Sequence, residues 1–329
     1  MAVPMLTETE LREIEASAVE LARNAGKLLL GYFDGPLQVS YKGPNNRSPV
    51  SDADHASDEY LRAEIARRFP DHGLVSEESD EGAEKAADVT WVIDPLDGTT
   101  NFVHGLPTFA VLIGVLERGR PVVSATFLPS VTSPHGHVLH AHAGGGAYDE
   151  DVRLSLAEEG EPVRRMSAWP SYFLRMFKFK PHLIRRLGDV RATGSSGFEL
   201  AMAARGVFDY ATLNNQWIWD AASGVLLVRE AGGRVLTYER STKSWRPFET
   251  FVVEHTGDAA TPGELRTWRG SLVVGTASAT EFVTSGLGYP PYRLRRLRQR
   301  VSGWLRKPAA AAPTPTPAQS RGQGRSLRE

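Results

Sequence analysis

The stretch Trp91-Val92-Ile93-Asp94-Pro95-Leu96-Asp97-Gly98-Thr99-Thr100-Asn101-Phe102 carries the chain's most informative chemistry. Its apolar run predicts a strand that ends at Asp94. Pro95 then fixes a turn and Asp97 returns shortly after it, so two carboxylates converge just past the strand. Such a pair suits a hard cation like magnesium, which takes oxygen ligands in a tight octahedron and keeps several waters. Gly98 admits a close approach of the backbone, and the N–H groups of Gly98 and Thr99 would open a helix whose positive end receives phosphate oxygens. Taken alone, the same residues also fit a surface turn with an Asp capping a helix. Two further segments add acids. Gly73-Leu74-Val75-Ser76-Glu77-Glu78-Ser79 places carboxylates where a short strand ends, and Trp219-Asp220-Ala221-Ala222-Ser223-Gly224 places one ahead of an apolar helix that runs to Glu230-Ala231-Gly232-Gly233. Separately, these fit a solvated acidic loop and an ordinary N-cap.

Together the segments resemble the inositol monophosphatase family, whose pattern is an acidic pair after one strand, D-P-[IL]-D-G-T-[TS], and a later W-D-x-A-A-G…E-A-G-G. The resemblance covers roughly residues 11–288, with further matches at Val50-Ser51-Asp52-Ala53-Asp54, at the three glycines between Ala141 and Ala147, and at Gly194-Ser195-Ser196. It implies an α/β fold with alternating α-β-α-β-α layers of the inositol monophosphatase and fructose-1,6-bisphosphatase type. It also implies two or three Mg2+ ions held by Glu77, Asp94, the Leu96 carbonyl, Asp97 and Asp220, with Asp54 supporting a third, weaker ion. The implied activity is hydrolysis of a phosphate monoester of a small soluble metabolite, by in-line attack of a water that the ions activate and that Glu77 and Thr99 orient and deprotonate. Phosphate would rest on the Gly98 and Thr99 amides beside Asp97 and Asp220. Gly194, Ser195 and Ser196 would face the other hydroxyls of the substrate. Lithium sensitivity and a homodimer are family properties the resemblance carries with it.

Two positions depart from the family pattern. Inositol-type members carry a glutamate seven residues before the W-D aspartate, where it grips ring hydroxyls, and here that position is Leu213. Asn214-Asn215-Gln216-Trp217 offers amides and an aromatic face instead, so the alcohol need not be inositol. Histidinol phosphate, fructose 1,6-bisphosphate, a 3′-phosphoadenosine nucleotide and NADP are the alternative substrates. Ser48 replaces the usual Asp six residues before Asp54, a change peripheral to the ions.

The elements that must position these residues are legible from periodicity. Thr7 with Glu10 has capping-box spacing, and Leu11, Ile14, Ala18, Leu21, Ala25, Leu28 and Tyr32 recur at helical intervals. An extended piece over 37–41, a mobile polar loop over 43–48 and a helix over 54–69 capped by Ser51 follow. Short β-rich runs over 73–76, 89–93, 109–116 and 122–127 come next. The segment 149–162, charged and poor in large apolar groups, divides an N-terminal half (1–150) with most metal ligands from a C-terminal half (151–291) that completes the site. In that second half, helices over 198–205 and 221–230 alternate with extended runs over 207–213, 234–238 and 271–274, which argues for an α/β layered fold.

Composition bounds the rest. The chain has 329 residues, 41% of them hydrophobic, enough for a sizeable core. With 38 basic and 39 acidic side chains, nothing global points to nucleic acid or a membrane. The absence of cysteine excludes disulfides and thiolate chemistry. No leader-like start and no apolar run approaching about 18 residues are present, which makes a cytoplasmic protein the expectation. Residues 292–329 hold ten Lys/Arg against one acid. Leu294, Leu297, Val301, Trp304 and Leu305 give 292–307 the pattern of a basic amphipathic helix, suited to packing on the domain, to a partner or to weak contact with an anionic membrane. The segment 308–329 reads as a disordered tail. A non-catalytic scaffold acting through this tail is the alternative from another class. His135, His137, His140 and His142 match no recognised metal spacing and are expected at the surface.

Overall fold

Thr7 and Glu10 close the capping box that opens the first helix, Glu8–Phe33, with the Thr7 N–H donating to the Glu10 carboxylate at 2.7 Å. The computed structural model describes residues 6–33, 35, 37–42, 48–79, 87–156, 166–252 and 261–289, so the expectations for 292–307 and 308–329 lie outside the described residues. The helix buries Leu11, Ile14, Ala18, Leu21, Ala25 and Leu29, one apolar stripe, and leaves Leu28 and Tyr32 at its edge. A second helix, Asp52–Arg68, starts two residues earlier than expected, directly after its cap Ser51, whose N–H donates to the Asp54 carboxylate at 2.8 Å. Of the loop expected over 43–48, residues 43–47 lie outside the described residues, and Ser48 opens the strand Ser48–Ser51, paired antiparallel with Val39–Lys42.

These two helices cover one face of a seven-stranded sheet ordered Gly73–Ser76, Val89–Asp97, Ala110–Glu117, Arg120–Leu128, His137–His142, Gly146–Asp149 and Val152–Arg153. Only its first pair is parallel. Period-two alternation sends Trp91 and Ile93 toward the first two helices and Val92 toward the other face, and the strands Val89–Asp97, Ala110–Glu117 and, Arg120 apart, Arg120–Leu128 are buried on both sides. The helices Ser196–Ala204 and Ile218–Glu230 pack on that other face. A second, six-stranded sheet lies beyond them, ordered Asp189–Arg191, Met166–Ala168, Tyr210–Gln216, Gly270–Gly275, Arg234–Glu239 and Ser244–Pro247. The helix Ala277–Gly286 covers its far side. The layers therefore alternate α-β-α-β-α, the α/β architecture expected from the resemblance. Residues up to Gly288 form one compact unit.

One glycine sets how closely the layers approach. A Cβ at Gly114 would lie 2.8 Å from the main chain of Ala222, so only glycine lets the helix Ile218–Glu230 sit this near the sheet. That approach brings the first turn of the helix, with Asp220, up to the strand ends that carry Asp94 and Asp97.

Candidate active site

The strand expected to end at Asp94 runs on to Asp97. Its pairing with Ala110–Glu117 shifts register between Asp94 and Asp97, so a β-bulge, and not a turn at Pro95, re-aims the two carboxylates. Asp94 accepts from the Leu96 N–H at 3.1 Å across this bulge. Gly98 then takes φ 89°, where a side chain would be strained and a Cβ would sit 2.9 Å from the Thr108 carbonyl. It caps the short helix Thr99–Val103. Asp220 is at the third position of its helix, accepting from the Trp217 N–H at 3.0 Å, and Asp54 occupies the corresponding position of its own.

Asp94, Asp97 and Asp220 each offer a carboxylate oxygen within 4.8 Å of the others. They line a cavity of about 220 Å3 together with Glu77, Leu96, Gly98, Thr99, Gly194, Pro49 and Thr100. Thr99 Oγ1 lies 3.0 Å from both the Asp54 carboxylate and the Leu96 carbonyl. Ser195 and Ser196 are placed differently from Gly194. The buried Ser195 hydroxyl donates to Asp97, the N–H groups of Ser196 and Gly197 donate to it at 3.3 and 2.7 Å, and the start of the helix Ser196–Ala204 therefore clamps that carboxylate. Gly194 alone of the three lines the cavity.

The electrostatics of this cluster are unbalanced. Burial, then the charges of Glu77, Asp97 and Asp220, push the Asp94 carboxyl well above the usual carboxylate range. Burial and the charges of Asp97 and Glu77 do the same to Asp220. Asp97 is raised by burial although the Ser195 and Gly197 donors oppose it, and burial raises Asp54. Carboxylates this close either hold protons or share a cation, and an all-oxygen donor set matches magnesium, calcium or manganese rather than zinc. The residues present fit the divalent ions that the resemblance implies.

The inositol monophosphatase family model matches residues 10–274. The chain belongs to that family. Among family relatives, the Nus factor SuhB of Escherichia coli (strain K12) is 35% identical over 226 residues, 66% of this chain and 82% of that protein. The inositol-1-monophosphatase of Rhizobium meliloti (strain 1021) is 33% identical over 227 residues, 65% of this chain and 82% of that protein. The solved inositol monophosphatase of Anabaena (Nostoc) sp. PCC 7120 has a TM-score of 0.60 at 26% identity, covering 86% of this chain and 99% of that one.

Several residues that hold this family site in place give no local signal in the sequence. Arg266, buried and far along the chain, donates through Nη2 to the Ser76 carbonyl and the Ser79 hydroxyl, which fixes the strand end that carries Glu77. Ser57 donates to the Pro95 carbonyl at 2.9 Å, and Asn101 ties Thr108 to Thr193 through two bonds of 2.7 and 2.8 Å. Glu199 accepts from Thr193, and burial raises its carboxyl to about 7. Leu213 points into the core, 1% exposed, so nothing polar replaces the family glutamate at its own position.

The histidines correct an expectation. His142 is only 4% exposed, and Glu15 of the first helix bridges His140 at 2.8 Å and His142 at 2.6 Å, while His137 pairs with Asp149 at 2.6 Å. His140 and His142 staple the first helix to the sheet, His137 ties two strands of that sheet together, and of these four only His135 is exposed.

Proposed function

We propose that this chain is a magnesium-dependent phosphatase that hydrolyses a phosphate monoester of a small soluble metabolite. The observation that carries the reading is the convergence of the buried Asp94 and Asp97 and the half-buried Asp220, mutually repelling, on one cavity beside Gly98 and Thr99. Glu77, Asp94, Asp97, Asp220 and the Leu96 carbonyl would hold two Mg2+ ions, and Asp54 would support a third. When bound, the ions neutralise phosphate charge and lower the pKa of water. The chain's own residues do the remaining work. The Gly98 and Thr99 N–H groups, unpaired at a helix start, receive phosphate oxygens. Thr99 Oγ1 donates its single proton to Asp54 and keeps its lone pairs for a water proton, and Glu77 takes up the proton from the other side of the cavity. The clamp of Ser195, Ser196 and Gly197 holds Asp97 in one rotamer, so the geometry does not loosen between substrates. Gly194 faces the alcohol.

Lithium inhibition, a homodimer and a cytoplasmic location belong to this reading. Among the described residues, no helix is long and apolar enough to cross a membrane. The division at 149–162 is proposed to separate the half with most ligands from the half that completes the site. Residues 292–307 are proposed to give weak, salt-sensitive contact with anionic lipid. Removing 292–329 then leaves turnover intact and abolishes vesicle binding, whereas early melting of the shortened chain points to docking on the body instead.

A panel of inositol 1-phosphate, histidinol phosphate, fructose 1,6-bisphosphate, adenosine 3′,5′-bisphosphate and NADP, assayed for phosphate release with magnesium and with chelator, tests the proposal. Magnesium-dependent release from at least one ester is expected. Failure on every ester would favour a second reading, a non-catalytic binding role, which the relatives named as a Nus factor motivate. The intact set of acids weighs for catalysis, since a scaffold has no use for buried carboxylates that repel one another.

A further inference from the structure

Next to Asp220, outside the residues that line the cavity, stands a cation, Arg269. Gln216 pairs with Gly270 across the second sheet, which brings Arg269 opposite Trp217, the residue whose N–H is donated to Asp220. Trp217 and Trp219 stack with ring centroids 4.9 Å apart and planes 10° from parallel, and the Arg269 guanidinium lies over the Trp217 ring. Arg269 Nη1 donates to the carbonyls of Arg266 at 3.2 Å and Trp268 at 2.6 Å, so the fork is held in plane by both stacking and hydrogen bonds. Its Nε and Nη2 donors have no hydrogen bond, and no carboxylate lies within ion-pair distance of the group, among the described residues. Partial burial lowers the Arg269 pKa to about 10, which still leaves a cation at neutral pH, and the charge it feels most is that of Asp220.

We infer that Arg269 is an anion subsite, and that the ester hydrolysed here carries a second anionic group, a phosphate or a carboxylate, on its alcohol. The inference rests on the phosphatase reading and narrows its substrate. A planar guanidinium with two adjacent free donors is shaped for bidentate recognition of such a group. A carboxylate at position 213 would repel the same group, and this chain places a buried leucine there. Neutral polyol phosphates leave the guanidinium without a partner, and a cationic alcohol such as histidinol is repelled by it. Stacking on Trp217 fixes the distance between the subsite and Asp220, so the second anion also orients the scissile ester.

The test uses pairs of esters that differ only in the second anion: adenosine 3′,5′-bisphosphate against adenosine 3′-monophosphate, and 2-phosphoglycerate against glycerol 2-phosphate, all with saturating magnesium. In the wild type, kcat/KM is expected to be about tenfold or more higher for the doubly anionic member of at least one pair, as for a hydrogen-bonded charge pair. Arg269→Gln should erase that ratio chiefly through KM, and Arg269→Lys should keep part of it. A ratio taken within one protein is insensitive to the fraction folded. Equal kcat/KM within both pairs, or a preference that survives Arg269→Gln, overturns the subsite and leaves the phosphatase reading standing. Absence of turnover on every ester overturns the phosphatase reading instead. Calorimetric titration of adenosine 3′,5′-bisphosphate into the magnesium-loaded wild type and Arg269→Gln then decides the subsite: weaker binding to the variant upholds it, and equal binding overturns it.

Discussion

Two acid clusters in the same molecule use similar ingredients to different ends. Around Glu15, each carboxylate oxygen meets an imidazole, His140 on one side and His142 on the other, and His142 reaches Glu8 with its remaining nitrogen at 3.2 Å. Glu15 is consequently held below the usual carboxylate range, its burial outweighed by the two histidines, and His140 is held above its ordinary value by Glu15 and Glu150 despite burial. Around Asp94 the charged neighbours are other carboxylates, and the carboxyls of Asp94, Asp97 and Asp220 are all raised. In the first cluster every carboxylate finds its hydrogen-bond partner within the chain, which makes it a structural staple. The second gathers like charges with no Lys or Arg among the residues that line its cavity, which is why we propose it as the working site.

The largest expected effect breaks the open cluster. Asp94→Asn or Asp220→Asn should lower kcat on the order of a thousandfold or more, because each carboxylate supplies charge to ions that contribute several kcal/mol to the transition state. Melting of the metal-free variants should be unchanged or higher than wild type, since a repelling charge has been removed. Near-normal rates in a folded Asp94→Asn protein would reduce the motif to a bulge with no chemistry.

Breaking the closed cluster should do the opposite. Glu15→Ala strips two buried imidazoles of their partner and should cost about 1–3 kcal/mol of folding stability, read from urea melts, with kcat per folded molecule retained. Loss of turnover without loss of stability would show that the staple communicates with the site.

Magnesium should distinguish the clusters next. Free ion at a hundred times its Kd should stabilise the wild type by about 2.7 kcal/mol per site, and Asp94→Asn should forfeit most of this whereas Glu15→Ala should retain it. Because Asp94 and Asp220 hold protons above the usual range, magnesium binding should also release protons, visible as a calorimetric heat that changes with the buffer's ionisation enthalpy. A buffer-independent heat would mean that the cluster is already ionised in the metal-free protein.

The smallest effect sharpens the contrast through pH. Glu15 has a lowered folded-state pKa, so its contribution is present above the ordinary glutamate value and is lost as pH falls through the lowered one. His140 is raised, so its contribution is present below the ordinary histidine value and fades as pH rises through the raised one. The stability difference between wild type and Glu15→Gln should therefore be greatest at roughly pH 4.5 to 6.5 and shrink on either side. The metal-free open cluster has the other sign on its high side: raised carboxyls stabilise at low pH and cost stability as pH climbs from the ordinary carboxylate value to the raised ones. Parallel pH series of urea midpoints, with chelator, for wild type, Glu15→Gln and Asp94→Asn separate the two, and parallel curves for all three would contradict the comparison.

Local rules were enough for much of this molecule. Thr7 with Glu10 and Ser51 declare helix starts because capping is a local contact, and the apolar runs at 109–116 and 122–127 declare strands, which the structure extends to Ala110–Glu117 and Arg120–Leu128 with both faces covered. The acidic set, Glu77, Asp94, Asp97, Asp220 and Asp54, is legible as a set through its motifs, and so is the loss of a carboxylate at Leu213. Tertiary structure alone decided the rest. Whether Pro95 makes a turn or a bulge depends on the register of the neighbouring strand, which a single segment does not encode. Burial of His140 and His142 depends on the first helix crossing their strand, and the convergence of Asp220 on Asp94 depends on a helix that Gly114 admits to contact. The stack of Arg269 on Trp217 follows from pairing across the second sheet. Each of these joins segments distant in sequence, and no periodicity within either segment specifies its partner.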